Sequence, residues 1–100
     1  MAVPKVANLS NIGETLVTLL QGKPEALRLW ADTNRDEIEF WLLTEPIPID
    51  TERDLYGVAT ELHDHFPESF IEFHLVNPRH FQDFDVTEIV PTSAQEIRLR

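Results

Sequence analysis

The chain has 100 residues, of which 42% are hydrophobic and 26% are charged, as is typical of one globular domain. Eighteen acidic residues against eight lysines and arginines give a formal net charge of −10, so we expect neither nucleic acid nor a membrane as a partner. There is no cysteine, which excludes disulfides, thiol catalysis and thiolate metal sites. The sequence also lacks a secretory signal and an apolar run of about 20 residues, so we expect a cytoplasmic protein.

The first half of the chain predicts one helix followed by two strands. Apolar residues at helical spacing predict a helix over residues 9–21. Alternating apolar residues predict strands over 25–32 and 36–44, with a polar turn over 32–36 between them. Two such strands joined by a short polar turn are typical of an antiparallel hairpin.

The second half of the chain predicts a long helix, a third strand and a C-terminal arm. The helix begins near Asp50 and ends near Phe66, before a proline. The strand covers residues 69–76. Because a strand, a crossover helix and a strand form a βαβ unit, the second and third strands should be parallel. Residues 95–100 of the arm could add a short edge strand.

These elements together predict an α+β fold in a single domain spanning residues 1–100. Its core is an α-β-β-α-β unit over residues 9–78, and residues 79–100 form the arm. Two helices pack on one face of a mixed sheet of three to four strands, which gives a two-layer sandwich.

One face of the predicted sheet should meet the two helices. The strand alternation assigns eight apolar residues to it: Leu27, Leu29, Ile38, Phe40, Leu42, Ile71, Phe73 and Leu75. The opposite face should then meet water, yet it also carries large apolar side chains. Its candidate residues are four anchors, Trp30, Trp41, Leu43 and Phe70, with a polar surround of Arg28, Glu39, Glu72 and His74.

Three arrangements could cover the aromatic side chains of this second face. The arm could fold over it, since the arm contains Phe81, Phe84, Val86, Ile89 and Val90. The face could instead form an interface with a second copy or with another protein, because aromatic residues with a polar rim are typical of interfaces. A small-molecule pocket is the third arrangement.

A histidine and two acids on the second face could bind a divalent metal ion. His74 lies beside Glu72 on the third predicted strand, and Glu39 lies on the neighbouring strand. Imidazole and carboxylate groups are common ligands of Zn²⁺ and Mn²⁺. The alternative is a strand histidine that only makes hydrogen bonds, and on that interpretation we expect no metal and no cofactor.

The remaining patterns do not predict an enzyme. Glu37 and Glu39 alternate on one strand, as do the metal-binding acids of nucleotidyltransferases, but the Gly-Ser turn that precedes those acids is missing. No phosphate-binding glycine loop, zinc-protease motif or nucleophile elbow is present. A degenerate nucleotidyltransferase-like subunit and an acidic mimic of nucleic acid stay open as alternatives.

The element order resembles the cytoplasmic C-terminal domain of cation diffusion facilitators. The likeness covers about residues 9–78 and is most local at His65-Phe66-Pro67, which is followed by His74 and then Pro78. The resemblance implies a dimeric, metal-responsive module with His74 as its one transferable ligand. The acid expected shortly after that histidine is absent here.

The leading prediction is a small acidic non-enzymatic protein that acts through protein–protein association. We expect a homodimer, or a complex with another protein, held by the anchors of the aromatic sheet face. A metal-responsive regulatory module that uses His74 with Glu39 or Glu72 is the main alternative.

Overall fold

A computed structural model describes residues 9–34, 37–83 and 85–99 of the chain. The regular elements within these residues are α1 (Leu9–Leu20), β1 (Ala26–Asn34), β2 (Glu37–Thr44), α2 (Ile49–His65), β3 (Phe70–Val76) and β4 (Gln95–Ile97). Two 3₁₀ turns, Pro78–His80 and Val86–Glu88, lie in the arm. The predicted α+β class and α-β-β-α-β order are confirmed. Part of the predicted turn over 32–36 lies outside the described residues.

The four strands form one mixed sheet in the order β3-β2-β1-β4. β1 and β2 form the predicted antiparallel hairpin, and β3 is parallel to β2 as the βαβ rule requires. β4 runs antiparallel to β1 and pairs Leu29 with Ile97. The edge strand that the sequence suggested therefore exists, although it is only three residues long.

The principal core lies between the two helices and the inner face of the sheet. Its fully buried members include Ile12 and Leu16 of α1, Leu55 and Leu62 of α2, and Phe40 of β2. Two residues from the end of the arm, Ile97 and Leu99, also pack into this core. The helices thus cover one face of the sheet, and the arm contributes to both sides of it.

The prediction for Leu27 is wrong, and a β-bulge explains why. Ala26 pairs with Thr44 whereas Arg28 pairs with Leu43, so β1 has one extra residue at Leu27. The extra residue reverses the alternation at the start of the strand. Ala26 consequently enters the core, and Leu27 remains 44% exposed.

Helix α2 begins and ends close to its predicted limits. Its first turn carries Asp50 and Glu52, whose negative charge suits the positive end of the helix dipole. At the other end, the backbone N–H of Phe66 bonds to the carbonyls of Leu62 and His63, and Pro67 follows. This short connection returns the chain directly to β3, at the edge of the sheet.

Candidate functional site

The candidate site lies on the outer face of the sheet, opposite the helices. Parallel pairing of β2 and β3 aligns their outward side chains in four rows: Glu37 with Phe70, Glu39 with Glu72, Trp41 with His74, and Leu43 with Val76. The row of Glu39 and Glu72 is polar, the row of Leu43 and Val76 is apolar, and the other two rows each combine a polar and an apolar side chain. The arm divides them, because it covers only part of the face.

The apolar part of the outer face is a second core beneath the arm. Trp30 and Trp41 are only 7% and 6% exposed, and they pack with Val76 and Val90. Four half-buried side chains complete this cluster: Leu43, Val86, Ile89 and Ala94. Of the three arrangements considered for the aromatic face, the structure has the arm of the same chain folded over it. We call this region the arm core.

The burial of the arm core means that the tryptophans of the aromatic face do not form an open surface for a partner. Trp30 and Trp41 are closed off by the arm, and Leu43 is half-buried beside them. A second protein could therefore reach the two tryptophan rings only after the arm had moved away. Phe70 is different, because it lies beyond the arm and is 70% exposed. Among the apolar residues of the arm, Phe81 is 46% exposed, and Phe84 lies outside the described residues.

Arg28 forms an exposed ion pair between β1 and β4. Its Nε donates to Glu96 Oε2 at 3.0 Å, and its Nη2 donates to Glu96 Oε1 at 2.7 Å. The guanidinium also lies 4.6 Å from the ring centroid of Trp30, within cation–π range. The hydrogen bond from Arg28 lowers the pKa of Glu96. The guanidinium of Arg28 therefore binds groups of its own chain, Glu96 and Trp30, at the border of the arm core.

The polar part of the outer face brings together the three residues that the sequence singled out for metal binding. His74 Nε2 lies 2.9 Å from Glu39 Oε2 and 3.9 Å from Glu72 Oε1. One donor atom from each side chain lies within 4.8 Å of the other two. The side chains of His74 and Glu39 are about one-third exposed, and that of Glu72 is about half exposed. We call these three residues the outer triad.

A further carboxylate adjoins the outer triad. A hydrogen bond with Glu72 raises the pKa of Glu37. Glu37 also lines a cleft of about 330 Å³ with Glu72, Phe70 and His63. The region around His74 is therefore rich in negative charge, and it stays open to solvent.

Trp41 connects the outer triad to the arm core. Its ring stacks on that of His74, with centroids 5.2 Å apart and an angle of 16° between the planes. The same indole packs among the residues covered by the arm. The position of the His74 ring is therefore coupled by direct contact to the packing of the arm.

A hydrogen-bond network that the sequence analysis missed fixes the start of the arm. Asn77 is 1% exposed, and its Nδ2 donates to the carbonyl of Ile47 at 3.0 Å and to Glu52 Oε1 at 3.2 Å. Its Oδ1 accepts from the backbone N–H groups of Ile47 and Arg79. His80 Nε2 lies 2.9 Å from the same Glu52 oxygen. The sequence gives no sign of this network, because the partners of Asn77 come from a distant loop and helix.

Comparisons with protein-family models, with curated proteins and with solved structures find no match for this chain. The resemblance to the cation diffusion facilitator domain therefore stays a prediction. In the described part of the chain, no helix has the length and apolarity that crossing a membrane requires.

Proposed function

We propose that the protein is a regulatory module that binds a divalent transition-metal ion at Glu39, Glu72 and His74. The observation that carries this proposal is the convergence of one imidazole and two carboxylates from two neighbouring strands, with donor atoms within 4.8 Å of one another. The parallel register places all three side chains on one face of the sheet, in two adjacent rows.

The spacing of the outer triad suits an ion of small radius. Donors bound about 2.1 Å from a tetrahedral ion are about 3.4 Å apart. The distances from His74 Nε2, 2.9 Å to Glu39 and 3.9 Å to Glu72, lie on either side of that value. Because both acids are partly exposed, small rotations of their side chains would bring the oxygens into place.

The donor set favours Zn²⁺ or Mn²⁺ over Ca²⁺, Mg²⁺ and Cu⁺. Ca²⁺ and Mg²⁺ prefer all-oxygen sites, and Cu⁺ prefers sulfur, whereas an imidazole with carboxylates suits Zn²⁺ and Mn²⁺. Three protein ligands leave at least one coordination position for water or another ligand. The neighbouring carboxylate of Glu37 adds attraction for a cation without being one of the three ligands.

A bound ion would also influence the arm. Coordination through Nε2 would fix the ring of His74, and that ring stacks on Trp41. Trp41 in turn packs against Val90 of the arm. Occupancy of the site would therefore favour the closed arm, which is the basis of the proposed regulatory role.

A Zn²⁺ and Mn²⁺ titration of the metal-free protein tests the binding. An ion at about 100 times its Kd stabilises the folded state by about 2.7 kcal/mol. For a domain of this size, that raises the Tm by about 10–20 °C. His74→Gln should abolish the rise while it keeps a hydrogen-bond donor beside Glu39. The matched control is His65→Gln, on the exposed last turn of α2, which should respond like the wild type.

Tryptophan fluorescence locates the ion independently of stability. The chain has two tryptophans, and only Trp41 stacks on His74. Paramagnetic Co²⁺ in the outer triad should quench Trp41 strongly, and Trp41→Phe should remove most of the quenching. A Tm that no ion changes, or an equal rise in wild type and His74→Gln, would show that the outer triad is not a metal site.

Self-association is a second candidate, favoured by the exposure of Phe70. Association through Trp30 and Trp41 would require the arm to open, because both rings are buried beneath it. Phe70 needs no such movement, since it already lies in solvent at the edge of the sheet.

A further inference from the structure

The outer edge of β3 is the longest strand edge that pairs with no other strand in the described part of the chain. β3 ends the sheet and pairs on one side with β2. It has seven residues, whereas β4 at the opposite end has three. An edge strand presents unpaired N–H and C=O groups that can bind another strand, and proteins usually keep such edges short or protected.

Side chains on the inner face of β3 are less completely covered than their neighbours. Phe40 and Leu42 of β2 are fully buried, but Phe73 and Leu75, which pair with them across the sheet, are only half-buried. All four belong to the principal core. The principal core is therefore incompletely covered along the edge of the sheet that β3 forms.

Exposed aromatic side chains flank the same edge. Tyr56 of α2 is 46% exposed and lies edge-on to Phe73, with ring centroids 6.5 Å apart. Phe70, at the start of β3, is 70% exposed. An apolar border along an unpaired strand is typical of a surface that another chain covers.

We propose that a second copy of this chain pairs antiparallel with β3, about a two-fold axis through Phe73, to form a continuous eight-stranded sheet. This deepens the second candidate function, self-association, and does not depend on a bound metal ion. Closed two-fold symmetry is the commonest arrangement of homo-oligomers, and antiparallel strands satisfy it at a sheet edge.

The polar side chains along β3 select this register. With the axis through Phe73, Glu72 lies opposite His74 of the partner subunit, and this pair occurs twice. Moving the axis to Glu72 would place that acid opposite its own copy, and like charges directly opposite each other are destabilising. Moving the axis to His74 would place Glu72 opposite an apolar valine, and the carboxylate would face no imidazole.

The same register also matches the apolar residues. Phe70 lies opposite Val76 of the partner subunit, which belongs to the partner's arm core. On the inner face, Ile71 lies opposite Leu75 of the partner subunit, and the two copies of Phe73 meet at the axis. Every outward pair is thus apolar with apolar or acid with histidine, and every inward pair is apolar.

The mass of the protein in solution, measured by sedimentation equilibrium in EDTA at 1–500 µM, tests the proposal without any metal ion. We expect a dimer in this concentration range, which is about the range in which homodimers are commonly characterised. Phe70→Lys should raise the dimer dissociation constant about tenfold or more, because it places two cations in the apolar border. Leu27→Lys is the matched control, since Leu27 is similarly apolar and 44% exposed but lies on β1. It should leave the dissociation constant unchanged.

An exchange of the side chains at positions 72 and 74 tests the register itself. Glu72→His and His74→Glu should each weaken the dimer severalfold, because each places like side chains opposite each other. The double exchange restores an acid opposite a histidine and should recover most of the affinity. A monomer at 500 µM in EDTA would overturn the proposal, as would a dimer that neither Phe70→Lys nor the single exchanges weaken. Failure of the Zn²⁺ titration alone would leave the proposal intact.

Discussion

Replacement of Asn77 by alanine should remove a large share of the stability of this domain. Asn77 is buried and makes hydrogen bonds to both backbone groups of Ile47, to Glu52 and to the N–H of Arg79. Asn77→Ala leaves the N–H and C=O of Ile47 without their side-chain partner in a buried position. Each unsatisfied buried group costs about 1–3 kcal/mol, so we expect a loss of about 3 kcal/mol in the free energy of unfolding.

Urea unfolding followed by circular dichroism measures this loss. With an m-value of about 2 kcal/mol/M, the midpoint should fall by about 1.5 M. Asn34→Ala, at the exposed end of β1, is the matched control and should change the free energy of unfolding by less than about 0.5 kcal/mol. If Asn77→Ala were as stable as Asn34→Ala, the network around Asn77 could not be what fixes the start of the arm.

Three further predictions concern the arm core, pH and a helical glycine. Trp41→Ala should cost about 3–5 kcal/mol in urea unfolding, because it empties a buried site, whereas Phe70→Ala should cost far less; equal losses would contradict the arm core. Hydrogen bonds from His80 and Asn77 lower the pKa of Glu52. The ionised Glu52 side chain therefore stabilises the folded state above the pKa that this carboxyl has in the unfolded chain, and the stabilisation is lost as the pH falls through the lower pKa of the folded state. Wild type should therefore lose more stability between about pH 5 and pH 3 than Glu52→Gln does, as measured by Tm. Gly57→Ala, in the middle of α2 with open space around the new methyl group, should raise stability by about 1 kcal/mol; a loss would mean that the helix is distorted there.

The helices, the strands and the parallel pairing could be predicted because each depends on local periodicity or on a general rule of chain connection. The placement of Glu39, Glu72 and His74 on one face followed from the same alternation. Their distances did not, because they depend on the register between two strands separated by a helix. Leu27 was assigned to the wrong face for a related reason. A single extra residue in a strand moves the side chains before it to the opposite face, and the apolar alternation of the sequence does not reveal where such a residue lies.

The covering of the aromatic face could not be decided from the sequence. Apolar residues of the arm or of a second subunit could cover the rings of Trp30 and Trp41 equally well. Composition does not distinguish these two arrangements. The role of Asn77 was missed because its partners, Ile47 and Glu52, lie far from it in sequence. Long-range polar contacts of this kind have no sequence period.

The arm core affects how the chain folds during its synthesis. Arg28 and Glu96, which join β1 to β4, are 68 residues apart, so this contact must wait for almost the whole described chain. Until residues 86–97 leave the ribosome, a nascent chain that has already paired β1, β2 and β3 shows both tryptophan rings to solvent. Exposed apolar surface of this kind attracts chaperones and promotes aggregation. Slow translation of the codons for residues 86–97, or deletion of these residues, should therefore lower the yield of folded protein, even though this segment contains little regular secondary structure.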